Sequence, residues 1–147
     1  MSHDRESRAR RQEHIARALI DAFNSRDPTA WVSLFHHDVE FRPTLLVGAG
    51  TVYTGHQGVL RYLDDLADRR ADQRSRLRRI QAVSDDEFVV YTEVLVGDHV
   101  VSPAAVILRL AGDKIIEATA FLSDEETLKT TGRVPRTEAK EGDVSSS

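Results

Sequence analysis

The chain has 147 residues, 40% hydrophobic and 30% charged, which is enough for one compact domain with a real core and too little for a second. With 20 Lys and Arg against 24 Asp and Glu the formal charge is −4, so the total does not favour nucleic acid as a partner. The lack of cysteine excludes a disulfide, a thiolate nucleophile and a Cys-ligated zinc. No apolar run approaches the roughly 20 residues that span a bilayer, and Met1 to Glu13 has no signal-peptide core, so the expected location is the cytoplasm, with no membrane partner.

Residues 1–14 read as a polar extension leading into the first helix, 15–132 as the domain and 133–147 as a disordered tail. Ile15, Ala18, Leu19, Ala22 and Phe23 fall on one helical face, which predicts an amphipathic helix from about Glu6 to Ser25. Asp27 followed by Pro28 is an N-cap with proline at the first helical position, opening a short helix that carries Trp31, Val32, Leu34 and Phe35. Val39 to Pro43 alternates and predicts a short strand with Val39 and Phe41 on one side and Glu40 and Arg42 on the other; Pro43 suggests an edge. A Gly-containing loop from Val47 to Thr51 follows. Thr54 to Gln57 then has the form of a capping box, and Val59, Tyr62, Leu63 and Leu66 give the third helix its buried stripe.

From there the period is that of strands, near Arg76 to Val83, Phe88 to Val96, Val100 to Leu110 and Ile115 to Leu122, broken at Ser84-Asp85-Asp86, Gly97-Asp98 and Gly112-Asp113. Such short connections predict an antiparallel meander, to which the early strand adds an edge. Ser123 to Glu126 is a second capping box, opening a short helix that Gly132 can end. Val89 to Val96 and Ala104 to Leu108 are apolar on both faces, whereas a sheet wet on one side should alternate. Since helices cover one face, the expected cover for the other is a second copy of the chain, in a homodimer through the sheet, with Glu93 and Arg109 as paired polar interruptions.

This order of elements resembles the NTF2-like superfamily and its SnoaL-like branch. The likeness rests on Ala18 to Asp27, Asp38 to Pro43, Tyr53-Thr54-Gly55-His56 and Gly112 to Ile116. It implies an α+β cone, a curved antiparallel sheet wrapped around N-terminal helices, with a pocket at the open end and a homodimer. No cofactor is implied. Fold does not settle activity, so each known site has to be matched by residue. Where ketosteroid isomerase-like proteins carry their Tyr and two Asp groups, this chain has Leu19, Val106 and Arg42. Where proteins similar to limonene epoxide hydrolase carry an Arg and two Asp, it has Val94, Val96 and Ala120. The acidic position of the polyketide cyclases falls among Ala118, Ala120 and Leu122. By the same likeness the pocket wall comprises Val90, Thr92, Val94 and Val96, then Ser102, Ala104, Val106 and Leu108, then Ala118 and Ala120. That wall is apolar and rich in small side chains, suited to an uncharged hydrophobic or polycyclic ligand. The alternative is a cone filled by Phe23, Trp31, Tyr62 and Phe121 as ordinary core.

The resemblance also turns the Glu40 and Arg42 face inward. Charges there must pair with each other, a ligand or rim water. In the functional reading Glu40 is a general base and Arg42 an anchor for developing negative charge; in the structural one they are an ion pair on an edge strand. The candidate ligand contacts are Leu19, Phe23, Trp31, Tyr53, His56, Tyr62, Val94, Val106 and Ala120, although His56 is equally a surface residue bonded to backbone, and Trp31 equally a core filler. His36-His37-Asp38 resembles a metal cluster, but adjacent residues on a short loop rarely converge on one ion, so no metal is expected. The arginines at 69, 70, 74, 76, 78 and 79 are offset by neighbouring aspartates. Three functions therefore stand: an isomerase, cyclase or hydratase using Glu40 and Arg42; a noncatalytic binding or dimeric assembly module; and a partner-binding role like that of the transport factor that names the superfamily.

Overall fold

The computed structural model describes residues 2–43, 52–68 and 72–121, with side chains from Arg5 onward. The predicted loop from Val47, the helix at Ser123 and the C-terminal tail lie outside the described residues. The first helix, α1, runs Ser2–Ser25, so the polar segment expected as an extension is itself helical. Its polar side chains have specific partners. Arg11 lies 3.3 Å from Asp113, donates at 3.2 Å to the Asp85 carbonyl and also donates to the Gly112 carbonyl. Gln12 donates at 2.9 Å to the Ser84 carbonyl. Two turns of the sheet are thus tied to the first helix through their unpaired carbonyls, which no hydrophobic periodicity would reveal.

Helix α2 spans Pro28–Val32, and the Asp27 carboxylate accepts from the N–H groups of Thr29 and Ala30, as the N-cap reading predicted. Leu34 and Phe35 are not part of it: strand β1 begins at Phe35 and runs to Pro43. Strand β2 (Tyr53–Thr54) leads directly into α3 (Gly55–Asp68), whose Val59, Tyr62, Leu63 and Leu66 are buried. The meander follows as β3 (Gln73–Ala82), β4 (Glu87–Val96), β5 (His99–Ala111) and β6 (Lys114–Phe121).

Six strands among the described residues form one open sheet in the order β2-β1-β6-β5-β4-β3. The expected edge position of β1 is corrected: it lies between β2 and β6, with Pro43 at its last residue, where the missing N–H costs least. Its pairing with β6 is parallel, because the chain crosses the helical layer before returning, while the other strand pairs are antiparallel. Register shifts in β1, β3, β4 and β5 let the sheet bend around the helices. The concave face carries the main core: Ile15, Leu19 and Phe23 from α1, Trp31 from α2, Tyr62 and Leu66 from α3, and Phe35, Phe41, Phe88, Val90, Leu108 and Ala118 from the strands.

The β5–β6 turn needs Gly112, which sits at φ +65°. A Cβ there would meet nothing within 4 Å, so the cost of Gly112→Ala is purely backbone. Urea unfolding of that variant is expected to show a loss of about 1–2 kcal/mol.

The outer face holds a second, smaller cluster of Val89, Tyr91 and Ala105, flanked by partly buried Val83, Ile107 and Phe121. Tyr91 donates at 3.0 Å to Gln81, and the Arg79 guanidinium stands 4.2 Å over its ring. Glu93 and Arg109 do not pair with each other. Glu93 accepts from Arg76 at 3.0 Å and Arg109 donates to Glu117 at 2.9 Å, because the register places those residues directly opposite on neighbouring strands.

Candidate ligand cavity

Between α1 and the concave face lies a cavity of about 50 Å³ lined by Leu19, Ile20, Phe23, Trp31, Phe41, Tyr62, Ser75, Val90, Thr92, Val106 and Ala120. An engineered cavity that accepts benzene measures about 150 Å³, so this space suits an occupant of only a few heavy atoms. The expected roomy cleft is corrected to a small one. Aromatic side chains from separate segments fill the rest of the cone: Trp31 stands 4.9 Å from Phe35, 5.8 Å from Phe41 and 6.1 Å from Tyr62, ring centre to ring centre. The Trp31 indole donates at 2.9 Å to the Val59 carbonyl, which satisfies its one polar atom and fixes the ring between α2 and α3.

Of the predicted contacts, Leu19, Phe23, Trp31, Tyr62, Val106 and Ala120 lie on this wall. Three others do not. Tyr53 is buried in β2 with its hydroxyl donating to Asp65, and its ring meets Tyr62 edge-on. His56 is exposed in the first turn of α3, where Nε2 lies 2.7 Å from the Phe35 carbonyl; a carbonyl only accepts, so that nitrogen carries the proton. Val94 is buried but does not line the cavity.

Glu40 and Arg42 require a larger correction. Val39 and Phe41 are buried on the concave side, and strand alternation sends Glu40 and Arg42 to the outer face. There Arg42 contacts Glu40 at 2.5 Å and Glu117 at 3.5 Å, while Glu117 also meets Arg109 at 2.9 Å. The whole group is at least one-third exposed. Exposed pairs of this kind contribute at most about 1 kcal/mol each, and the thickness of the sheet separates them from the cavity. The sequence already indicated this orientation: two large apolar residues at 39 and 41 require the core face, and that requirement outweighs an orientation assigned by likeness.

Sequence reasoning missed Ile20, Phe41 and Ser75 as wall residues. Ile20 follows Leu19 on the buried flank of α1, and Phe41 shares the Val39 face. Ser75 is placed by its backbone, whose N–H and carbonyl both bond to the Asn24 side chain at 2.8 Å. Tyr62 is 1% exposed; burial is the main cause that pushes its phenol above the ordinary range, with the Arg26 charge opposing, so it remains a neutral hydroxyl. Arg26 donates at 2.9 Å to the Gln73 carbonyl and stacks 4.5 Å over Phe23; burial, then Arg74, lowers its pKa from the ordinary value.

His36, His37 and Asp38 do converge, contrary to expectation: one ligand atom from each lies within 4.8 Å of the others. They occupy the irregular stretch of β1 where its register with β6 shifts, not a loop. The Asp38 N–H donates at 3.0 Å to His36 Nδ1, and His37 Nε2 lies 3.4 Å from the Asp38 carboxylate. Among the described residues, no helix is long and apolar enough to cross a membrane.

The SnoaL-like domain profile matches residues 16–118. No curated protein shows significant similarity to the chain. Among solved structures, a candidate ketosteroid isomerase from Kribbella flavida shares 19% identity over 79% of this chain and 80% of its own, with a TM-score of 0.64. A candidate polyketide cyclase from Sinorhizobium meliloti shares 18% over 74% and 94%, at 0.59. A protein of ketosteroid isomerase-like fold from Catenulispora acidiphila, solved in complex with trimethylamine, shares 18% over 82% and 93%, also at 0.59. With the profile covering most of the chain, and an open curved sheet closed over its N-terminal helices, the protein belongs to the SnoaL-like domain family and has its NTF2-like α+β fold.

Proposed function

We propose that this protein binds a small, uncharged, largely apolar molecule in the cavity between α1 and the concave face. One observation carries the reading: among the described residues none on the cavity wall bears a charge, and Glu40 and Arg42 stand on the other side of the sheet. A charged ligand would enter without a counter-ion and lose its hydration. A polycyclic one exceeds the space.

The test is NMR of the methyl groups of Leu19, Val90, Val106 and Ala120 during titration with xenon and, separately, naphthalene. Xenon is expected to shift those resonances and naphthalene to leave them unmoved; silence with xenon overturns the reading. Glu40→Gln is expected to leave xenon binding unchanged and to alter stability by no more than about 1 kcal/mol, since it removes an exposed pair. Loss of binding in that variant would restore Glu40 to the site.

The quaternary reading is a homodimer through the outer sheet face. It is supported by the partly exposed Val83 and Ile107, which border the Val89, Tyr91 and Ala105 cluster. Ile107→Glu is expected to convert a dimer to a monomer in sedimentation equilibrium. An unchanged sedimenting mass, or a wild-type monomer, removes this reading.

A further inference from the structure

Three consecutive side chains of a regular strand cannot meet, because neighbours along the chain point to opposite faces. His36, His37 and Asp38 nevertheless bring one ligand atom each to within 4.8 Å of the others. The cause lies in the pairing of β1 with β6. From Phe35 to Glu40 β1 advances five residues, while β6 advances two, from Ile115 to Glu117. The surplus residues leave the ladder, and the bulged backbone re-aims their side chains. His37 shows the effect most plainly: it has the strand parity of buried Phe35, Val39 and Phe41, yet its side chain is 73% exposed.

The displaced segment is fastened in place. Phe35 and Val39 on either side of it are buried in the core. The Phe35 carbonyl accepts from His56 at 2.7 Å, and a Cβ on Gly55 would stand 3.4 Å from the His37 carbonyl, so the start of α3 backs the bulge. The two imidazoles stack with ring centres 4.2 Å apart, and His36 Nδ1 accepts the Asp38 N–H at 3.0 Å. His37 Nε2 and the Asp38 carboxylate are 3.4 Å apart, close to the separation of about 3.3–3.4 Å between two ligands of a tetrahedral zinc. Two imidazole nitrogens with one carboxylate oxygen form a donor set for a first-row transition ion, whereas calcium and magnesium favour oxygen alone. We propose that His36, His37 and Asp38 form a surface site for a divalent transition ion such as Zn²⁺, with water in the remaining positions. None of the three lines the cavity, so this site is independent of the ligand reading above.

The test is calorimetric titration of the full chain, first stripped of metal with a chelator, using zinc chloride and, separately, magnesium chloride. Zn²⁺ is expected to bind and Mg²⁺ to give no saturable heat. His37→Gln and Asp38→Asn, both at exposed positions, are each expected to weaken Zn²⁺ binding at least about tenfold, no less than removal of a supporting partner costs at metal sites. Asp38→Asn keeps the backbone N–H that His36 accepts, so it isolates the carboxylate. His14→Gln and His99→Gln, exposed histidines on other elements, are expected to leave binding unchanged. Zn²⁺ affinity that survives both His37→Gln and Asp38→Asn, or that falls with His14→Gln or His99→Gln instead, marks an adventitious ion only and overturns the proposal. So does equal uptake of Mg²⁺, or no uptake of Zn²⁺.

Discussion

Trp31→Ala is expected to lose about 3–5 kcal/mol of unfolding free energy, enough to leave a domain of ordinary stability marginal or unfolded. The residue is 2% exposed, and its ring is within 6.3 Å, centre to centre, of Phe23, Phe35, Phe41 and Tyr62, which come from three elements besides its own. Truncation removes the one group that all of them touch and leaves the Val59 carbonyl without its donor. Because this is the single tryptophan, unfolding has to be followed by circular dichroism in urea, not by its fluorescence. Trp31→Phe keeps most of the ring contacts and loses only the donor and the second ring, so it should fall well short of the alanine variant. A loss below about 1 kcal/mol for Trp31→Ala would mean that the aromatic cluster does not hold the helices to the sheet.

Ala120→Val should have the opposite effect on stability and a large effect on binding. Ala120 is 3% exposed on β6 and lines the cavity, so two further carbons enter space that is already empty. A β-branched residue suits a strand, and filling a void commonly raises stability by about 0.5–2 kcal/mol. The same atoms occupy the ligand's volume, and uptake of xenon should become undetectable. A variant that is more stable yet binds normally would place the ligand elsewhere. One that is destabilised would mean that the wall has no slack, and overpacking would be the cause.

The elements themselves were legible because each is declared locally. The 3.6 period of Ile15 to Phe23, the Asp27-Pro28 start and the glycines at 97 and 112 fix helices and turns through nearest-neighbour chemistry alone. The polar half of α1 was not legible, since its stability depends on carbonyls of turns that lie far away in sequence. Cavity size was not legible either. Small residues at Ala118 and Ala120 suggested a void, but the space beside them is set by Trp31, Phe41 and Tyr62 arriving from three other segments. The placement of Glu40 and Arg42 failed for a different reason. Their alternation with Val39 and Phe41 is explicit in the sequence, and the apolar pair, not the likeness, decides which side faces inward. The likeness placed Thr92 on the concave wall, and it lines the cavity there.

The seam between the end of α1 and β3 has a consequence for how copies of this protein can meet. β3 is the last strand of its sheet, and both backbone groups of Ser75 are taken by Asn24 while the Gln73 carbonyl is taken by Arg26. An outermost strand left bare is a template for runaway strand addition; here two side chains occupy the groups that a visiting strand would need. Strand addition at the start of β3 is thereby disfavoured, and Asn24→Ala would bare both Ser75 groups to a visiting strand.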